Sequence, residues 1–207
     1  QALPVSVELG VYAFIISTVL GVLMGTIAAL RRNTWADYTI MTAAMTGIVV
    51  PSFVKAPIMI FIFAITLKWL PAGGWNDGAL TSLILPVAAL SIGYVAGLAR
   101  ITRGAMIRTA RAKGLSMNSI VLRHALRPAM LPILSYLVPA FVGIITGAIV
   151  IESVFGLPGI GQLFVNGALN RDYGMILGLT ILVGVLTIVF NAILDILYAL
   201  IDPKIRY

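Results

Sequence analysis

The chain has 207 residues, of which 60% are hydrophobic and 10% charged, with a net charge of +7 and a mean hydropathy of +1.07. This excludes an ordinary soluble domain, and Leu/Ile/Val/Ala/Gly runs without strict alternation exclude a membrane β-barrel, leaving an all-α membrane protein. The absence of cysteine removes any disulfide framework or thiolate metal site, and in so apolar a chain the basic excess points to cytoplasmic loops rather than to nucleic acid.

Five spans are predicted where about 20 apolar residues run without a charge. The first covers about Val5 to Leu30 and is closed by Arg31, Arg32, Asn33 and Asp37. The apolar stretch from Tyr38 to Leu70 is too long for one straight span, and Pro51, Lys55 and Pro57 in its middle predict a break or kink. Breakers from Pro71 to Asp77, flanked by Trp69 and Trp75, form a turn at the level of an aromatic belt. The remaining spans are about Thr81 to Ala99, Met130 to Ile151 and Gly174 to Ile201, and the whole of 1–207 reads as a single membrane domain. No signal peptide is visible before Gln1, so an upstream segment or its removal by processing is expected.

Charge sets the expected orientation. Arg31 and Arg32, seven Lys and Arg between Arg100 and Arg127, and Lys204 with Arg206 fall on one side, against Lys68 and Arg171 on the other. The positive-inside rule then puts the N-terminus outside and the C-terminus in the cytoplasm. Four GxxxG spacings, Gly21/Gly25, Gly93/Gly97, Gly143/Gly147 and Gly174/Gly178, would allow close helix approach, although 20 glycines make chance pairs common.

Chemistry-bearing patterns are sparse. There is no GxxxxGK[ST] loop, so any ATP hydrolysis belongs to another polypeptide. The glycines of FGLPGIGQLF lack a preceding strand and the dinucleotide spacing, and read as a turn between two spans. Ser52 and Lys55 match SxxK but without the companion SDN and KTG motifs; a mid-span lysine beside a prolyl break has the simpler readings of a structural, snorkelling side chain or of one that lines an aqueous cavity. His124 lies between Arg123 and Arg127, whose charge opposes the imidazolium a catalytic base must become. Glu152, Arg171 and Asp172 are expected as a salt-bridged or solvated group at the outer interface, with Glu152 also a candidate for substrate contact, and Asp195 is expected to pair with a cytoplasmic arginine.

The strongest signal is the basic stretch of about 100–128. Thr109, Ala110, Arg111, Ala112, Lys113, Gly114 and Leu115 offer helix formers closed by a glycine suited to a C-cap, followed by a second helical stretch from about Met117 to Leu126, ending at Pro128. Alanines keep the first helix slim enough for a groove, while Arg108, Arg111 and Lys113 can meet carboxylates on its walls.

RTARAKGLSMNSIVLRHALRPAMLP resembles the "EAA" loop of ABC importer membrane subunits, in the form used by dipeptide, oligopeptide and nickel permeases. The triplet positions fall on Arg108, Thr109 and Ala110, the glycine is Gly114, and the glutamate is absent. The similarity continues through IVIESVFGLPGIGQLFVNGALNRDY to DPKIRY, and the oligopeptide permease B subunits are the nearest branch. The resemblance implies an all-α polytopic bundle of the type I ABC importer kind in a bacterial inner membrane. It also implies a paralogous second permease subunit, two cytoplasmic ATPase subunits that bind the ATP and magnesium, an extracytoplasmic peptide-binding protein and a peptide substrate. This chain itself would hold no cofactor, metal or catalytic residue. The helix Thr109 to Leu115 would couple to an ATPase, and Ser52, Lys55 and Glu152 are candidates for the translocation path. Dipeptides, nickel or another small solute are alternative substrates. An ion-coupled secondary transporter or an intramembrane hydrolase are alternatives of other classes. Relative to the family, Arg103 to Arg108 is about seven residues short, which predicts a chain break near Met106 and Ile107 with a Cα separation well beyond 3.8 Å.

Overall fold

A computed structural model describes residues 2–113 and 126–201. The elements are α1 (Ala2–Leu30), α2 (Trp35–Val49), α3 (Ser52–Met59) continued by a π-helical stretch Ile60–Thr66, a 3₁₀ turn Asn76–Gly78, α4 (Leu80–Lys113), α5 (Leu126–Phe155), α6 (Ile160–Leu169) and α7 (Tyr173–Ile201). Among the described residues, four helices are long and apolar enough to cross a membrane, or five if α2 and α3 with its continuation make one broken span. The expected interruption of the second stretch lies at residues 50 and 51, where Pro51 takes an extended backbone and removes a helical N–H donor.

Two boundaries depart from the sequence expectation. The third span does not end at Ala99; its helix continues through the basic residues to Lys113. Charge marks where a segment leaves lipid, whereas helix formation needs only good formers and a buried stripe. Here Thr102, Ala105 and Met106 are buried while Arg100 and Arg108 are exposed. The expected break at Met106 and Ile107 is absent, since both lie within the unbroken α4. Seven residues are about two turns, so their loss shortens a helix by about 10 Å yet keeps every side chain on its face. FGLPGIGQLF is likewise more than a turn, because Gly156 reverses the chain with φ of 64° and residues from Ile160 onward form α6.

The chain groups into two compact units, 1–14, 50–91 and 141–193 in the first, 15–49, 92–140 and 194–207 in the second, with dividing points inside α1, α4, α5 and α7. In the first, Leu9, Leu85, Ile144, Ile151, Phe155 and Leu157 are buried, and Phe141 stacks edge-on against Phe14 and Phe190 at centroid distances of 4.9 and 5.0 Å. Such pairs add about 0.5–1.5 kcal/mol each beyond their burial. Gly74 N–H donates to the Phe155 carbonyl at 2.8 Å, tying the Pro71 to Asp77 turn to the end of α5.

In the second unit, α1 and α4 approach at Gly21 and Gly25, where added Cβ atoms would stand 2.7 Å from Leu98 Cβ and 2.5 Å from the Ala99 carbonyl oxygen. Gly47 of α2 faces Ile92 and Ala96, and Gly97 faces the Tyr136 ring. Ala29, Leu98, Met106 and Ile133 form its apolar centre. The GxxxG spacings are therefore unequal: Gly21/Gly25 is a packing contact, whereas Gly178 has open space around it and Gly174 meets only Asp172. Along α1, the exposed residues Leu3, Val7, Val11, Ile15, Val19, Leu23 and Ile27 recur every fourth position, an apolar ridge that winds slowly around the helix and is suited to lipid or to another membrane helix.

Candidate functional site

The basic segment grows out of α4. Arg108 is exposed and Thr109 half-buried, its hydroxyl donating to the Ala105 carbonyl at 3.0 Å. Ala110, Arg111, Ala112 and Lys113 are the last residues of this long helix, so the expected short helix begins as a continuation of α4. Gly114 and Leu115, with His124 and the stretch Met117 to Ala125, lie outside the described residues.

What holds this end of α4 is an ion pair that sequence reasoning passed over. Asp37 is 1% exposed and receives two hydrogen bonds from Arg103, from Nε to Oδ1 and from the guanidinium to Oδ2, each at 2.6 Å. The Asn33 N–H also donates to Oδ2 at 3.0 Å, and Asn33 itself adopts a left-handed backbone with φ of 61°. Paired N–H donors on one carboxylate fix orientation as well as charge. The pair fastens the connection between α1 and α2 to α4, five residues before Arg108. From the sequence, Asp37 is expected only to close the first span. The overlooked signal is an acidic residue opening an apolar stretch, which at membrane depth needs a partner.

The proposed path residues are split. Ser52 is the first residue of α3 and Lys55 lies one turn on; both are half-buried, with Pro57 and the π-helical turns following. Pro57 leaves one backbone position without a donor, and widened turns are how a helix accommodates such an interruption. Glu152 is elsewhere in that unit and is 0% exposed. Its Oε2 accepts the Gly161 N–H at 2.7 Å, while the Ser6 hydroxyl, which interacts with the same carboxylate, accepts the Ile160 N–H at 2.9 Å. The carboxylate thus caps the first turn of α6, a task for which negative charge is suited.

Of the salt-bridged or solvated group expected from Glu152, Arg171 and Asp172, the solvated alternative holds for Arg171 and Asp172, while Glu152 is buried apart from them. Asp172 is exposed and accepts the Met175 N–H at 3.0 Å, capping α7, and Arg171 is exposed with φ of 56°. Each carboxylate satisfies a helix N-terminus close to it in the chain, and that local demand prevails over a longer-range ion pair. The side chain of Asp195 lies outside the described set.

Comparison with known proteins agrees with this architecture. The family described as "Binding-protein-dependent transport system inner membrane component" matches residues 21–207. The chain is 65% identical over 215 aligned positions to the oligopeptide transport system permease protein OppB of Haemophilus influenzae, covering all of this chain and 70% of the relative. It is 64% identical to OppB of Salmonella typhimurium (99% and 69% covered) and 42% identical to the dipeptide transport system permease protein DppB of Bacillus subtilis (100% and 69%). Among solved structures, an inward-facing MetNI methionine ABC transporter superposes with a TM-score of 0.74 at 14% identity over 95% of this chain and 93% of that one. An amino acid ABC transporter with histidines gives 0.70 at 19% identity over 95% and 91%. The fold is accordingly that of a type I ABC importer permease. The chain belongs to the family of inner membrane components of binding-protein-dependent transport systems.

Proposed function

We propose that this chain is a membrane-spanning subunit of an ATP-driven oligopeptide importer, forming half of the translocation path and coupling it to a separate ATPase. The observation that carries the substrate class is the 65% identity, across the whole chain, to permeases named for oligopeptide transport. A second reading, dipeptide import, is supported by the 42% identical DppB.

The partners follow from the family: a paralogous permease, two ATPases holding ATP and magnesium, and an extracytoplasmic peptide-binding protein. Arg108 to Leu115 dock in a cleft of one ATPase, and closure of the nucleotide-bound ATPases shifts a bistable bundle between its two arrangements. Support comes from the exposed Arg108 at the end of a helix braced by the Asp37–Arg103 pair. The basic loops lie in the cytoplasm together with the C-terminus, a reading that the lysine and arginine count supports. Peptide passes along a wet cavity beside Ser52 and Lys55. In this reading Glu152 serves the path indirectly, by seating α6.

Gentle purification of the complex from membranes tests the class: an ATPase and a second permease should co-purify. Gly114→Trp should then abolish ATP-dependent peptide uptake while the subunit still inserts and assembles. Unchanged uptake removes the loop from coupling. Competition of labelled pentapeptide uptake by dipeptides separates the two substrate readings.

A further inference from the structure

The turn between α1 and α2 holds an open groove that neither the ion pair nor the coupling segment uses. Its volume is about 370 Å³, and Ile27, Leu30, Arg31 and Ala36 line it, so its walls are apolar except for one guanidinium. Arg31 is exposed and is the first charged residue after Glu8, marking where α1 leaves the hydrocarbon. The turn is firmly set: the Thr34 N–H and hydroxyl both donate to the Arg31 carbonyl, at 3.1 and 2.5 Å, and Asn33 follows with φ of 61°.

Charge and depth together say what fits. Asp37, the one acid between Arg31 and Val49, is taken by Arg103, and Arg31 makes no ion pair among the described residues. An anion is therefore missing at Arg31, with Arg32 adding a second positive charge beside it. On the apolar side, Ile27 and Leu23 are 45% and 52% exposed and end the ridge of α1, so that Arg31 is its next member four residues on. Half of a hydrocarbon core about 30 Å thick corresponds to roughly ten residues of helix, so a chain descending from Arg31 passes both before reaching the midplane. Trp35 and Tyr38, 84% and 61% exposed, stand at the same end, where amphipathic rings meet headgroups.

We propose that this groove binds one anionic phospholipid, with its phosphate on the Arg31 guanidinium and an acyl chain along Ile27 and Leu23. The planar fork of arginine matches two phosphate oxygens at once. A zwitterionic headgroup would bring its own cation back toward Arg31 and Arg32, so a net negative lipid is preferred. The site depends on the membrane architecture alone and not on the peptide substrate or on coupling.

The intact transporter complex in detergent is titrated with phosphatidylglycerol and, separately, phosphatidylcholine, and retained lipids are counted by native mass spectrometry. Arg31→Gln should weaken retention of one phosphatidylglycerol about fivefold, the worth of one basic group at an anionic surface, and leave phosphatidylcholine unaffected. Arg100→Gln, which removes an exposed charge of α4 outside the groove, should leave retention unchanged. Equal losses in the two variants would mean a diffuse charge effect and would overturn the site, as would no loss in Arg31→Gln or equal retention of the two lipids by the wild type. Displacement of the lipid by excess inorganic phosphate would likewise overturn it, since the acyl seat would then contribute nothing. In a density map of the complex, headgroup density should lie within hydrogen-bond reach of Arg31 and run on along Ile27; a segment of a neighbouring subunit in its place would end the proposal. Peptide uptake enters none of these readings, so their failure leaves the transport assignment untouched.

Discussion

Arg103→Leu is the most informative perturbation of this fold, because the two partners of the buried ion pair are unequally exposed. Asp37 is 1% exposed and Arg103 27%. Removing Arg103 strands a carboxylate whose remaining contact is the Asn33 N–H at 3.0 Å, and an orphaned buried charge costs about 3–5 kcal/mol. Asp37→Asn is milder: the amide oxygen still accepts, and the more exposed guanidinium can turn toward water, leaving a loss of about 1–2 kcal/mol. A chain of this length loses about 2–4 °C of melting temperature per kcal/mol. Arg103→Leu should therefore lower the midpoint by about 6–20 °C and Asp37→Asn by about 2–8 °C, read by gel filtration of the solubilised complex after heating. Asp37→Leu with Arg103→Leu removes both charges and should be less damaging than Arg103→Leu alone. If Arg103→Leu is no worse than Asp37→Asn, or the double variant is worse than Arg103→Leu, the pair is not the brace described here.

The two glycine pairs should behave oppositely. Gly25→Ala pushes a Cβ to within 2.5 Å of the Ala99 carbonyl oxygen and 2.6 Å of Thr102 Cβ, a strain of about 1–3 kcal/mol, whereas Gly178→Ala meets nothing within 4 Å and should be neutral or stabilising by up to about 1 kcal/mol; the same heating assay compares them. Gly161→Ala cannot be absorbed by a side-chain shift, because the obstacle is the Ile149 backbone, so limited proteolysis within 156–170 should accelerate while the rest of the chain stays protected. Lys55→Met should cut ATP-dependent peptide uptake roughly tenfold or more with unchanged assembly, and full uptake would remove Lys55 from the path.

Much of this protein is legible in one dimension. An all-α membrane architecture follows from composition alone, since lipid offers backbone groups no partners and runs of some 20 apolar residues have no other stable form. The interruption near Pro51 and the turn from Pro71 to Asp77 were readable for the same reason: proline and glycine act on their own backbone, whatever surrounds them. Tertiary structure decided what depends on distant neighbours. The sequence contains four equivalent GxxxG spacings, but only the opposing surface of α4 makes Gly21 and Gly25 a contact, while Gly178 stays open. It contains several acids near membrane boundaries, but 66 residues separate Asp37 from the arginine that answers it, and nothing local reveals that pairing. Glu152 stands in the chain as one more interfacial carboxylate. Folding brings the first turn of α6 and the hydroxyl of Ser6, 154 residues before Ile160, around it, because a helix N-terminus and a buried charge each lack what the other supplies.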